Sequence, residues 1–270
     1  MLGAAVLAAL AWLGLLCFER PLLIFFGAAV TCLVMLTHFL RRGNTLRLVR
    51  PERLARRLGE ITVTGFSSFF IDVAMGILTV LFNRQIMRYL GPNALAVYGP
   101  IINVSTFVQC CAYSVGQAAQ PIVSTNFGAG RPARIRETLR LALWTTAFFG
   151  VFWTALSMAC PNLYVRVFMS PTEEILAIAP AIVRAYASSF LLLPFNIFST
   201  YYFQAILQPK AAFVVSVARG PVISGALILI LPALFQPNAL WLAMPVTELA
   251  VLFYAALQIR RHTAALPSRG

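Results

Sequence analysis

The sequence predicts an all-α fold: a polytopic transmembrane bundle of seven or eight helices. Three observations predict it. Of the 270 residues, 60% are hydrophobic and only 11% are charged, too few charges for a soluble surface of this size. The apolar residues gather into runs of about 20, enough to cross a hydrocarbon core about 30 Å thick. The basic residues fall in alternate gaps between those runs. Helices are required because a lipid-exposed backbone must satisfy its own hydrogen bonds, and continuous apolar runs lack the alternation of a β-barrel strand.

In chain order, the first run is Leu2–Phe18, at the short limit for a span. A cleaved signal peptide is the alternative there, but no basic residue precedes the run. Glu19-Arg20-Pro21 separates it from Leu22–Leu40, so the two can form a tight hairpin. Six longer spans follow: Phe66–Leu90, Ala96–Thr125, Thr138–Cys160, Ile175–Ile206, Ala211–Phe235 and Leu240–Ile259. The implied organisation is preceding helices over 1–40, a basic linker over 41–64, a six-helix lobe over 65–261 and a tail over 262–270.

The net charge of +13 does not point to nucleic acid, because the charge sits in short inter-helix segments. Arg41, Arg42, Arg47, Arg50, Arg53, Arg56 and Arg57 fill the gap before the third span. Arg131, Arg134, Arg136 and Arg140 follow the fourth, Lys210 the sixth, and Arg260, Arg261 and Arg269 the last. The alternate gaps, Gly91-Pro92-Asn93, Pro161–Glu174 and Gln236-Pro237-Asn238, are poor in base. The positive-inside rule then places loop 41–64 and the carboxyl terminus in the cytoplasm. Cys17, Cys32, Cys110, Cys111 and Cys160 lie in apolar runs without metal or disulfide spacing and read as small buried residues. His38 and His262 read as interfacial residues.

Ionisable residues inside spans are functional candidates. Asp72, the only aspartate, shares a helical face with Gly76, Thr79 and Asn83. Asn103, Thr106, Gln109, Tyr113, Gln117 and Gln120 form a second polar stripe, and Ser189, Asn196, Thr200 and Gln204 a third. Such stripes either glue helices together or line a wet cavity. Glu248 lies near mid-depth of the last span, where it either partners a polar group or serves transport. Arg184 is expected to pair with Glu173 or Glu174, and Arg219 to snorkel toward the cytoplasmic face. Pro121, Pro194, Pro232 and Pro245 permit kinks, with Gly116 and Gly225 as weak points. No phosphate-binding glycine loop, metal-ligand cluster or nucleophile–base pair is visible, so no enzyme activity is expected and any pumping must draw on an ion gradient or another chain.

The stretch Val115-Gly116-Gln117-Ala118-Ala119-Gln120-Pro121-Ile122-Val123-Ser124-Thr125-Asn126-Phe127-Gly128-Ala129-Gly130 resembles the end of the eighth helix of MATE transporters, the multidrug and toxic compound extrusion family. Ser67–Asn83 is similar to the seventh helix, Tyr201-Tyr202-Phe203-Gln204-Ala205-Ile206 with Pro209-Lys210 to the end of the tenth, and Trp241-Leu242-Ala243-Met244-Pro245 to the opening of the twelfth. The resemblance covers roughly Leu22 to Arg261 and corresponds to the carboxyl-terminal six-helix lobe plus one or two preceding helices. It implies antiport: export of organic cations or drugs in exchange for Na⁺ or H⁺, with no cofactor beyond that ion. The expected partners are the bilayer, a small cationic or amphiphilic substrate, and a first lobe or a second copy of the chain. Asp72 matches the position of a coupling carboxylate and is the candidate for a Na⁺ or proton. Asn83, Gln109, Tyr113, Gln117, Asn196, Thr200, Gln204 and Glu248 are the candidate cavity residues beside it. A lipid-linked glycan flippase would need a cationic cavity, whereas these stripes carry acid and amides. A transport-inactive half-lobe is the other alternative.

Overall fold

The computed structural model describes residues 27, 29–34, 36–37, 73 and 75–264. The first predicted run, linker 41–64, Asp72, His38 and residues 265–270 lie outside the described residues. The chain forms two compact units, Met1–Thr62 and Val63–Gly270. In the first unit the described residues are helical and fall within the predicted span Leu22–Leu40.

In the second unit the described part of helix α1 covers 75–89. Then follow α2 (Gly91–Gly128), α3 (Pro132–Ala159), α4 (Pro161–Phe168), α5 (Glu173–Ala187), α6 (Leu193–Ala205), α7 (Pro209–Val217), α8 (Ile223–Leu234) and α9 (Ala243–Ala264). No strand occurs among the described residues. Five helical stretches among them are long and apolar enough to cross a membrane, at Gly91–Gly128, Pro132–Ala159, Glu173–Ala205, Pro209–Leu234 and Pro237–Ala264.

The breaks between helices follow local chemistry. Proline stands at the first or second position of α2, α3, α4, α6 and α7, where its missing N–H costs no intrahelical bond. Thr172 caps α5 by accepting from the Ile175 N–H, and Glu173 and Glu174 favour its positive end. The expected loop Gly91-Pro92-Asn93 is instead the first turn of α2. Gly91, at φ +81°, takes the left-handed conformation that lets α2 start one residue after α1 ends at 89.

Two predicted spans are interrupted. Ile175–Ile206 is α5 and α6 joined by a 3₁₀ turn, Ser188–Leu191, just before Pro194. Ala211–Phe235 is α7 and α8 joined by a π turn, Ala218–Val222, in which Gly220 leaves helical geometry and Pro221 supplies no donor. The Ser224 hydroxyl donates to the Arg219 carbonyl at 2.6 Å and so satisfies an acceptor in the break.

Two apolar clusters hold the helices. One gathers Phe82, Tyr98, Tyr186 and Trp241; Phe82 stacks on Tyr98 with ring centres 4.8 Å apart, and Trp241 leans on both. The other packs Phe198, Tyr202, Phe203 and Ile206 against Ala142, Val215, Val251 and Ala255. There the Tyr202 hydroxyl bonds that of Thr263 at 2.7 Å, and His262 packs edge-on to Phe203. The outer surface is also apolar. On α3, Leu141, Trp144, Phe148 and Phe152 form one stripe, with Trp144 68% and Phe148 64% exposed. Such a stripe would be unfavourable in water by about 25 cal/mol per Å² and is at home in lipid.

The cysteines depart from the sequence expectation. Cys32, Cys110 and Cys160 are free and exposed, and Cys111 is half-buried. In a bundle whose exterior is as apolar as its core, an apolar run does not imply an inward position.

Candidate functional site

Helices α2 and α6 pack along each other, and parts of their polar stripes, Gln109 with Tyr113 and Thr200 with Gln204, open on a common space. Between them lies a cavity of about 250 Å³, walled by Gln109, Tyr113, Thr200, Tyr201 and Gln204 and closed on the far side by Met75, Ser216, Arg219 and Gly220. Gln109 and Tyr113, like Thr200 and Gln204, are four residues apart and so point the same way. A second cavity of about 150 Å³ adjoins the first, sharing Met75, Gln109 and Arg219, and is lined further by Thr79, Tyr98, Ser105 and Tyr186.

The α2 side of the wall is organised by its own hydrogen bonds. Gln109 donates from Nε2 to the Ser105 hydroxyl at 3.3 Å, and the Tyr113 hydroxyl approaches Gln109 Oε1 at 3.5 Å. Tyr201 meets Tyr113 edge-on, with ring centres 6.3 Å apart. Gly116 seats the Tyr201 ring: a Cβ there would come within 2.5 Å of Tyr201 Cδ2 and 2.7 Å of Cγ. Gly116 is thus a close-contact position rather than a weak point in the helix.

Behind the cavity lies a buried charged cluster. Glu248 on α9 is 0% exposed. Its Oε1 accepts from Arg219 Nε at 2.7 Å, and its Oε2 accepts from Asn196 Nδ2 at 2.7 Å. Asn196 Nδ2 also donates to the Glu248 carbonyl at 2.8 Å, while its own Oδ1 is buried without a partner. The Ser224 hydroxyl approaches that of Thr247 at 3.2 Å beside this cluster. Asn196, Arg219 and Glu248 tie α6, the π turn and α9 together at the point where two of these elements are broken or begun by proline.

The candidate residues therefore divide. Gln109, Tyr113, Thr200 and Gln204 line the larger cavity. Asn196 and Glu248 do not; both are sealed in the charged cluster behind it. Asn83 is half-buried and Gln117 exposed, and neither is among the residues lining the two cavities. Gln120 and Gln204 approach each other through their side-chain amides at 3.4 Å, which joins α2 to α6 as glue.

Two arginines behave differently from expectation. Arg219 does not reach along its helix for water; it turns inward to Glu248, because a buried carboxylate needs a cation more than an arginine needs the interface. Among the described residues Arg184 forms no ion pair. Its Nε donates to the Met158 carbonyl at 3.2 Å, near the end of α3, and Glu174 accepts instead from Asn93 at 3.0 Å. The Arg219 role was missed because its partner lies 29 positions away. The Arg219-Gly220-Pro221 sequence was the available signal, since a charge beside a helix break faces an interior more readily than a lipid surface.

The MatE family model matches residues 66–229. The chain belongs to the MatE family. Among curated relatives of this MatE chain, Multidrug export protein MepA of Staphylococcus haemolyticus is 25% identical over 216 residues, covering 79% of this chain and 45% of the relative. MepA of Staphylococcus aureus strain MSSA476 is 22% identical over 255 residues, covering 88% and 54%. The chain spans about half the length of the curated relatives it matches. Among solved structures, a multidrug resistance MATE family transporter in an outward-facing conformation superposes with a TM-score of 0.76 at 16% identity, over 90% of this chain and 55% of that one. An inward-facing MATE transporter gives 0.74 at 16% identity over 90% and 57%. These likenesses, with the five apolar helical stretches, make the chain a multi-pass membrane protein with a MATE-type fold.

Proposed function

We propose that this MatE chain works as one lobe, the carboxyl-terminal one, of a secondary active transporter in the cell membrane that exports drug-like organic cations in exchange for Na⁺ or H⁺. The observation that carries this reading is the cavity in which α2 and α6 present Gln109, Tyr113, Thr200 and Gln204 to a common space. Polar groups directed into a shared space between membrane helices serve passage of a polar solute better than they serve packing. The half-length match to multidrug export proteins supports the same reading, with the substrate path formed between this lobe and a first lobe or a second copy. In this reading loop 41–64 and the carboxyl terminus face the cytoplasm.

Coupling is assigned to Asp72. A carboxylate in a partly dry gap is costly as an anion unless a cation neutralises it. A proton, Na⁺ or a cationic substrate can each do so, and competition among them gives exchange. Glu248 is unsuited to that competition, because Arg219 already neutralises it. The flippase alternative gains little from Arg219, since a pyrophosphate needs several unbalanced cations and this one is balanced. Asp72→Asn is expected to abolish gradient-driven efflux by the two-lobe transporter while leaving membrane insertion and expression unchanged. Undiminished efflux by a well-expressed Asp72→Asn protein would refute the assignment.

A further inference from the structure

We infer that the first half of α3 holds an anionic phospholipid of the adjoining leaflet, with Arg136 and Arg140 on its phosphate and Trp144 against the start of its acyl chains. Such a site needs only the membrane-spanning fold and is independent of what the chain transports.

Arg136, Arg140 and Trp144 stand four residues apart, so they climb one side of α3 in steps of about 6 Å. All three are exposed, Trp144 to 68%. With Leu139, Leu143 and Ala147 they border a hollow of about 400 Å³ whose described walls all belong to α3. Two guanidinium groups stand at its end nearest the helix start, and apolar side chains line it further in. Phe148 and Phe152 carry exposed apolar surface on for two more turns, so Arg140 and Phe152 are about 18 Å apart along the axis. One leaflet of hydrocarbon is about 15 Å deep. Guanidinium groups at headgroup depth, an indole at the boundary and rings beside the chains match a phospholipid along its length.

Charge decides which phospholipid. Residues 131–144 carry Arg131, Arg134, Arg136 and Arg140 against Glu137 alone. Segment 41–64, on the same side of the membrane in the proposed orientation, holds seven arginines against Glu52 and Glu60, so it adds to the excess and does not cancel it. A zwitterionic headgroup would bring a cation of its own to this cluster, whereas a headgroup with a net negative charge brings none. Arginine suits the phosphate because its planar fork offers paired N–H groups to two oxygens.

The test reads Trp144 directly. Phosphatidylcholine vesicles holding the 270-residue chain are doped with dibrominated phosphatidylglycerol or dibrominated phosphatidylcholine, whose bromines quench indole fluorescence on contact. The chain has four tryptophans, so the Trp144 signal is the difference between the chain and its Trp144→Phe variant. Each arginine near a membrane surface favours an anionic lipid by about five-fold. Half-maximal quenching of Trp144 is therefore expected at about 25-fold lower mole fraction of the brominated phosphatidylglycerol. Arg136→Gln and Arg140→Gln should each reduce the preference about five-fold, and the double variant should abolish it. Both side chains are exposed, so the fold should survive, as circular dichroism will show. Arg134→Gln is the control: Arg134 is exposed but lies two positions before Arg136, on the other side of α3, and its loss should leave the preference unchanged. Equal quenching by the two brominated lipids in the wild-type chain would overturn the inference. A preference that falls as much with Arg134→Gln as with Arg136→Gln would reduce it to general surface charge and overturn it too. Either result leaves the transport reading as it stands.

Discussion

Glu248→Ala is expected to be the most damaging single substitution in the described part of the chain. It would leave the Arg219 guanidinium and the Asn196 amide facing each other in a buried space with the central acceptor gone. Breaking a buried pair by removing one partner costs about 3–5 kcal/mol, because the remaining charge keeps its desolvation penalty and loses its compensation. Thermal unfolding in detergent, followed by size-exclusion fluorescence, should show a large fall in midpoint and in the monodisperse fraction. Arg219→Met/Glu248→Leu should recover most of that loss, because apolar groups of similar volume carry no such penalty. A single variant no less stable than the double would show that the pair is not sealed from water.

Gly116→Ala is expected to damage the cavity with a smaller effect on the fold. The added methyl would need the space occupied by the Tyr201 ring, whose Cδ2 would lie 2.5 Å from it. The ring is held between Tyr113 and the apolar core, so it has to turn into the space beside Thr200 and Gln204 or push α2 and α6 apart. Overpacking of this kind costs about 1–3 kcal/mol. Binding of a fluorescent organic cation should weaken as well, since the displaced ring would occupy the cavity between α2 and α6. Gly116→Ala/Tyr201→Ala, which vacates the position, should restore the unfolding midpoint. Failure of the second change to rescue stability would place the strain in the backbone rather than in the ring.

How much of this was legible in the residues depends on distance along the chain. The spans were legible because an apolar run long enough to cross a bilayer is a local property. Five of the six later spans reappear as helical stretches long and apolar enough to cross, and the described part of the remaining one, 75–89, is helical. The interruption at Ser188–Leu191 falls beside Pro194, one of the prolines expected to permit a kink, whereas the one at Ala218–Val222 falls at Arg219-Gly220-Pro221, where neither Gly220 nor Pro221 was among the expected weak points. Helical spacing placed Gln109 with Tyr113 and Thr200 with Gln204 correctly on shared faces. The same spacing said nothing about which faces meet: Gln117, grouped with these residues by spacing, is exposed on α2 and outside the two cavities. Asn196 shows the sharper limit. It lies one turn before Thr200, yet its amide is consumed by Glu248, 52 positions away. Arg219 was read from its depth alone; its contact with Glu248 depends on how the π turn rotates it, which no local pattern encodes.

The chain is proposed to contribute one side of a gradient-driven export path. Proteoliposomes holding the chain together with an amino-terminal lobe from a full-length relative, with imposed Na⁺ or H⁺ gradients, measure that claim directly through efflux of a fluorescent organic cation. Efflux is expected to require both lobes and one of the two gradients, with little from the chain alone. Efflux absent under both gradients, from lobes shown to co-purify, would contradict it.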